Sequence, residues 1–391
     1  MSEKSDDSRD FFLVVPPGFE AVAEKELRFW CERLFNKVDL NLKSEKAGIT
    51  INLPLIQGFF LNRVLKIPTR ILFRIADFRC RDFTSLYKKV LRIDWNRYVG
   101  GHGVEWKASA SGSRLKIESR IVETCEQAFQ NYRKGNTPKK TDEAPGSFTI
   151  YLRIVDDTCQ LSLDSSGEAL YKRGVKKNVS QAPLRENLAA GLLWFLFNFE
   201  VKSEKLGLEK GCTLIDPMMG TGTFLIESLL LFQPIVTRSF AFEQNPVWRF
   251  TEHSLWIYQV KDTSPFKKVM GYDISDKNVM AAQENLMMFR AFSISQADLF
   301  TPLHRPESVN GPVWVITNPP YGQRIPLKGP RGTFYIDTLK AIKKKWNPQK
   351  IGIIVPADVF KNLPIAEKSN SLEFRNGGIN VRFIVVESEL V

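Results

Sequence analysis

Cys212-Thr213-Leu214-Ile215-Asp216-Pro217-Met218-Met219-Gly220-Thr221-Gly222-Thr223 decides how this chain is read. Four residues of strand character run into an acid, then into a loop with two glycines, and a helix is predicted from about Thr221. Glycines at such a turn let the backbone approach a ligand closely. A lone Gly-x-Gly also suits an ordinary tight strand-to-helix turn, so the neighbours must decide. From about residue 184 onward, helices and strands alternate. A helix over 184–199 leads to the strand at 212–215, and further strands fit 269–273, 293–297, 313–317 and 351–355. That alternation predicts a doubly wound parallel sheet whose ligand lies at the carboxyl ends of the strands. Segments 371–374 and 379–386 flank Arg375-Asn376-Gly377-Gly378, a hairpin signal. Crossover strands closed by a carboxy-terminal hairpin predict a seven-stranded Rossmann-like α/β sheet of the class I methyltransferase type, not that of a dehydrogenase.

Two nucleotide sites are excluded by the same loop. It has no Gly-Lys-Ser/Thr, as a phosphate-binding P-loop requires. A dinucleotide fingerprint needs a third glycine where Leu225 stands, and an acid about 20 residues on. The candidate acid, Asp273, lies well beyond that spacing, after an aromatic-rich insertion at 232–266. Asp273 ends the strand at 269–273 and is placed to accept from ribose hydroxyls. Asp298 follows the next strand and suits the amine of an adenine. Either aspartate alone could equally be a helix cap. In the order glycine loop, ribose acid, adenine acid and catalytic loop, they describe an S-adenosylmethionine pocket.

The catalytic loop is Asn318-Pro319-Pro320-Tyr321, at the end of the apolar run Val313-Trp314-Val315-Ile316-Thr317. An amine on an aromatic base is a poor nucleophile, because its lone pair is delocalised into the ring. Acceptors around its hydrogens return the lone pair to nitrogen and stabilise the charge that develops. The Asn318 side-chain oxygen and the Pro319 carbonyl, held by two ring-locked residues, supply such a pair. Tyr321 is placed to stack on the base. The competing reading is a proline-stiffened turn that ends a strand. The candidate catalytic residues are thus Asn318, Pro319, Pro320 and Tyr321. The candidate cofactor residues are Asp216, Pro217, Gly220, Thr221, Gly222, Thr223, Asp273, Asp298 and Asn318.

Composition narrows the partners. The chain has 391 residues, 43% of them apolar, enough for two or three domains. Its net charge of +12 favours a polyanionic partner. Basic runs occur at Lys172-Arg173-Gly174-Val175-Lys176-Lys177, Lys139-Lys140 and Lys343-Lys344-Lys345, each of which could also be a solvated face. Five dispersed cysteines and three scattered histidines offer neither a disulfide framework nor a metal site, which fits a reducing cytoplasm. No apolar run reaches a membrane span of roughly 18 to 20 residues. Residues 1–10 read as a disordered, non-secretory tail.

The first 165 residues read as mixed α+β. Strands fit 11–15, 48–53, 70–78, 105–110, 147–155 and 158–164, the last two joined at Asp156-Asp157. Helices fit 19–34, 83–92 and 118–132, and a polar loop fits 134–146.

The chain resembles the THUMP-domain RNA methyltransferases, most closely the bacterial 23S ribosomal RNA guanine-N2-methyltransferases. Pro17-Gly18-Phe19-Glu20 with Glu24-Lys25-Glu26-Leu27 is similar to that family's amino-terminal element. Leu161-Ser162-Leu163-Asp164-Ser165-Ser166-Gly167-Glu168, Lys172-Arg173-Gly174 and Ala182-Pro183-Leu184-Arg185-Glu186-Asn187-Leu188-Ala189-Ala190 resemble the junction into its catalytic domain. The resemblance implies a ferredoxin-like plus THUMP RNA-binding region over 11–165, a methyltransferase domain over 166–391, and no second methyltransferase domain. It implies that Asp216, Gly220, Gly222, Asp273 and Asp298 hold S-adenosylmethionine, and that Asn318, Pro319 and Tyr321 hold a guanine. The implied partner is 23S rRNA, with no metal and no membrane. Gln323 stands where the ribosomal enzymes usually carry glutamate, which leaves transfer RNA open as the target. The other readings are a DNA adenine-N6-methyltransferase and a non-catalytic RNA-binding or ribosome-assembly factor.

Overall fold

In a computed structural model of the chain, two seven-stranded sheets carry the architecture. The structure describes residues 8–136, 146–178, 184–197, 211–245, 247–248, 266–301, 309, 311–322, 330–366, 369–387 and 389. The first sheet contains β1 (Ser8–Val14), β2 (Leu42–Glu45), β3 (Gly48–Pro54), β4 (Arg70–Arg79), β5 (Gly103–Ser111), β6 (Ser147–Val155) and β7 (Thr158–Asp164), in the order β2-β3-β1-β4-β7-β6-β5. Alternation sets its faces: Ile49, Ile51 and Leu53 of β3, and Phe148, Ile150, Leu152 and Ile154 of β6, are buried. Helices Glu20–Phe35, Leu55–Val64, Phe83–Leu91 and Glu118–Gly135 accompany these strands. Asp156 and Asp157 both take positive φ in the two-residue β6–β7 turn, as a tight hairpin requires.

The sequence reading differs from this sheet in three places. β1 reaches back to Ser8, which pairs with Pro54, so part of the expected tail is strand. β2 is a short, solvent-facing edge strand without apolar alternation. Helix Leu55–Val64 is apolar nearly all round, so it shows no amphipathic period.

The second sheet contains β8 (Cys212–Asp216), β9 (Phe266–Asp273), β10 (Phe292–Gln296), β11 (Val313–Thr317), β12 (Lys350–Pro356), β13 (Asn370–Asn376) and β14 (Ile379–Glu387). Its order is β10-β9-β8-β11-β12-β14-β13. β8 to β12 are mutually parallel, and β14 runs antiparallel to both β12 and β13. β8 and β11 are buried at every residue, as central strands covered on both faces must be. The β13–β14 turn is Gly377-Gly378, both at positive φ. The Rossmann-like sheet with its carboxy-terminal hairpin is the one expected. Chain order runs outward from β8 to β9 and β10, then returns to β11 on the other side. The switch point is therefore between β8 and β11.

Apolar and charged contacts join the two sheets' layers. Phe29 meets Trp194 edge-on at 5.4 Å, and Phe19 meets Phe374 at 5.3 Å. In the described part of the insertion, Phe242 stacks on Phe59 at 5.2 Å.

The basic run at 172–177 is only partly a solvated face: Lys172 and Lys177 are exposed, whereas Arg173 is buried. Arg173 donates to Glu227 through Nε and Nη2 at 2.8–3.1 Å, with both side chains at most 2% exposed. Lys176 donates to the Thr223 hydroxyl at 2.7 Å, and Lys172 pairs with Glu168. Lys343, Lys344 and Lys345 occupy the last turn of helix Arg331–Trp346, where cations suit the helix dipole. Lys139-Lys140 lies outside the described residues. Among those residues no helix is long and apolar enough to cross a membrane, and no His, Cys, Asp and Glu group is arranged to hold a metal.

Candidate active site

The parallel register brings the sequence candidates to one edge. Asp216 ends β8, Asp273 ends β9, Asp298 follows β10 and Asn318 follows β11. Because the strands lie in the order β10-β9-β8-β11, these residues form a row: Asp298, Asp273, Asp216, Asn318. At about 4.8 Å per strand the row spans roughly 14 Å.

The loop after β8 is built on backbone bonds. Met219 N–H donates to the Tyr272 carbonyl at 2.9 Å and Gly222 N–H to the Met219 carbonyl at 2.9 Å. Gly220 and Gly222 sit at φ +54° and +84°, conformations that favour glycine. Among the described residues, a Cβ at Gly220 would meet no atom within 4 Å, so this side of the loop is open toward them. Gly220 N–H donates to Asp273 Oδ2 at 2.9 Å, while Asp273 Oδ1 accepts from Ser275 N–H and Asn278 Nδ2 at 2.9 and 3.1 Å. Pro217 is buried, and Thr221 and Thr223 are nearly so.

Two residues that sequence reasoning missed hold this loop from behind. Asn285 Nδ2 donates to the Thr221 carbonyl at 3.1 Å, and its Oδ1 accepts the N–H groups of Lys177 and Asn178 at 2.9 Å. Lys176 holds Thr223, as above. Neither partner could be paired from sequence, since each lies on a different element from its target.

Asp216 is fully buried, and burial pushes its carboxyl up to about 8. A hydrogen bond from Met218 N–H offsets this in part, and the charge of Asp273 adds to it. Burial therefore favours the neutral form of Asp216. Asp298 Oδ1 accepts Phe300 N–H at 2.9 Å, and its carbonyl accepts from Lys345 Nζ at 3.2 Å. Ile274, next to Asp273, is 63% exposed, an apolar surface at the mouth of the crevice.

The Asn318–Tyr321 loop is tied down by hydrogen bonds. Pro319 is buried, and Tyr335 donates its hydroxyl to the Pro320 carbonyl at 3.0 Å, which commits that carbonyl to the fold. Tyr321 donates its hydroxyl to Asn318 Oδ1 at 2.7 Å and accepts from Asn376 Nδ2 at 2.9 Å. Its ring packs against the core, and burial pushes the phenol up to about 12. Gln323 and Arg324 lie outside the described residues.

A glycine loop, an acid bonded to it and a proline-locked amide share the mouth of one switch point. The RMKL-like methyltransferase domain profile matches residues 173–382, more than half of the chain. The chain belongs to the RMKL-like methyltransferase-domain family. Membership of a class I methyltransferase family makes S-adenosylmethionine its cofactor, and the open loop at Gly220 beside Asp273 fits that group. The chain is 27% identical to a ribosomal RNA large subunit methyltransferase K/L of Cellvibrio japonicus, over 81% of this chain and 42% of the relative. It is 25% identical to the protein of the same name from Acinetobacter baumannii strain AYE, over 97% of this chain and 53% of the relative. It thus spans about half the length of the curated relatives it matches. Among solved structures, SMU.472 in complex with SAH superposes with a TM-score of 0.78 at 21% identity, covering 98% of this chain and 99% of that one. TrmN from Thermus thermophilus superposes at 0.65 with 16% identity, covering 97% and 99%. At these identities the likeness is one of fold.

Proposed function

We propose that this chain methylates the exocyclic N2 amine of a guanine in structured RNA, with large-subunit ribosomal RNA as the substrate. One observation supports it most directly: Asn318 stands at the end of β11, across the switch point from the glycine loop at the end of β8. The names of the relatives support the choice of ribosomal RNA. The module over 11–165, read as ferredoxin-like plus THUMP, docks the RNA by shape and phosphate contacts.

When bound, S-adenosylmethionine supplies a methyl carbon on a sulfonium leaving group. Asp216, Pro217 and the Gly220-Thr221-Gly222-Thr223 loop line its seat, with Asp273 at the ribose and Asp298 at the adenine. The guanine leaves its stack at a cost of a few kcal/mol. Asn318 Oδ1 and the Pro319 carbonyl accept the two amine hydrogens and turn the nitrogen lone pair toward the methyl carbon. Tyr321 supports the ring face. With S-adenosylmethionine bound, its methyl would pass from sulfur to the amine nitrogen, and the methylated amine would then lose its extra proton to solvent. Much of the rate comes from alignment, and no strong base is needed because the cationic amine readily loses its proton.

The test is incubation with methyl-labelled cofactor and separated 23S, 16S and transfer RNA from a strain lacking the gene, followed by digestion to nucleosides. Label in N2-methylguanosine from 23S RNA is expected. Label in transfer RNA would reassign the substrate. Label in N6-methyladenosine, or cofactor binding without transfer to any RNA, would overturn the reading.

A further inference from the structure

The second sheet ends in a feature that the methyl-transfer chemistry does not use. Asn376 is the last residue of β13, before the Gly377-Gly378 turn, and is only 8% exposed. A buried amide at a hairpin end must have a hydrogen-bond partner. Asn376 donates from Nδ2 to the Tyr321 hydroxyl at 2.9 Å, and that hydroxyl donates to Asn318 Oδ1 at 2.7 Å. The strand that carries Asn376 is itself held in place. Phe374 packs edge-on against Phe19, and Gly18 lies so close to the Glu373 carbonyl that a Cβ would come within 2.7 Å of it.

The direction of this relay matters. An asparagine amide is nearly symmetric in shape, and turning it over exchanges acceptor for donor. Asn318 serves an amine only with its oxygen forward. A phenol could either donate to Asn318 Oδ1 or accept from Nδ2. Because Asn376 already donates into the phenol oxygen, the phenol proton is left for Asn318, and only Oδ1 can receive it. The Asn318 oxygen keeps a second lone pair for the incoming amine.

We propose that Asn376 is a positioning residue for methyl transfer, acting through the Tyr321 hydroxyl to hold the Asn318 amide with its oxygen toward the base. This rests on reading the site as an amine methyltransferase. Asn376 touches neither the cofactor seat nor the reacting nitrogen. Its effect is on the rate of transfer and not on cofactor binding.

The test is a double-mutant cycle on single-turnover methylation of RNA at saturating cofactor. Asn376→Ala is expected to slow transfer about 10-fold, the scale of one hydrogen bond, with the KM for RNA and the affinity for S-adenosylhomocysteine unchanged. Asn376→Asp keeps the shape but turns the donor into an acceptor, drawing the phenol proton away from Asn318. It is expected to lose at least as much as Asn376→Ala, whereas a packing role would spare it. In a Tyr321→Phe background, Asn376→Ala is expected to have no further effect. Independent losses in that background, or an active Asn376→Asp protein, overturn the proposal. A second readout needs no activity: in 3-fluorotyrosine-labelled protein the fluorine line removed by Tyr321→Phe is expected to shift in Asn376→Ala, and an unmoved line overturns the contact. Asn318→Ala separates the two readings. If it transfers as fast as wild type, the amine-methyltransferase reading falls and takes this proposal with it. If Asn318→Ala is inactive while Asn376→Ala is unimpaired, only the role of Asn376 falls.

Discussion

Gly220 donates its backbone N–H to Asp273 Oδ2 at 2.9 Å, so the glycine loop and the acid of the neighbouring strand act as one unit. Asp273 also accepts from Ser275 N–H and Asn278 Nδ2, which fixes its rotamer. Asp273→Ala removes the acceptor proposed for the ribose and releases the loop together. A bond to a charged group contributes about 1.5–3 kcal/mol, so affinity for S-adenosylhomocysteine is expected to fall by roughly 10- to 100-fold. Calorimetric titration measures it, and unchanged affinity would exclude Asp273 from the cofactor seat.

Gly220→Ala tests the open side of the same loop. The added Cβ meets no atom of the described residues within 4 Å, so the cost to the fold comes from φ +54°, about 1–2 kcal/mol. That methyl would occupy the space assigned to the cofactor. Thermal unfolding is expected to show a folded, slightly destabilised protein, and titration a protein with much weakened cofactor binding. A variant that binds normally would place the cofactor elsewhere.

Arg173 tests whether the run at 172–177 serves stability or RNA. Its guanidinium is bonded to Glu227, to the Leu170 carbonyl and to the Lys66 carbonyl, all within 3.1 Å. Arg173→Met leaves Glu227 buried without its partner, which costs about 3–5 kcal/mol. Arg173→Met with Glu227→Met is expected to recover most of that. Urea unfolding midpoints decide it. A surface role would instead leave the midpoint unchanged and weaken RNA binding.

The second sheet was legible because its strands obey strong local rules. β8 and β11 are short apolar runs, and Gly377-Gly378 demands a tight turn. The row of Asp216, Asp273, Asp298 and Asn318 followed from strand ends alone. What escaped depends on contacts between distant elements. A lysine run looks the same whether it faces water or, like Lys176, reaches Thr223 behind the glycine loop. Nothing local pairs Asn376 with Tyr321. Similarly, Cys80, Cys125 and Cys159 are dispersed in sequence, yet Cys80 and Cys159 lie near enough to Cys125 to raise its thiol further than burial does alone.

Asp216 makes stability depend on pH in a defined direction. Its folded value of about 8 is above the ordinary 3.8, so its contribution is fully present below pH 3.8 and is lost as pH rises through about 8. Asp216→Asn removes that dependence. Without cofactor, the stability of Asp216→Asn relative to wild type is expected to rise between pH 4 and pH 8, by at most about 1.4 kcal/mol per pH unit. Urea unfolding across that window measures the difference. A flat difference would mean that the Asp216 carboxyl is solvated.

Asn318 is the residue proposed to act on the amine, and its removal should separate binding from transfer. Asn318→Ala deletes one of the two acceptors proposed to act on the amine as charge develops, with an expected loss of roughly 100- to 1,000-fold in the rate of transfer. The glycine loop, Asp216 and Asp273 remain in place, so S-adenosylhomocysteine affinity is expected to stay within a few-fold of wild type. Asn318→Asp keeps an acceptor at the same position and should retain more activity than the alanine variant. Single-turnover methylation and calorimetric titration on the same preparations give both numbers. Joint loss of cofactor binding and transfer would show that Asn318 builds the cofactor seat and does not act on the amine.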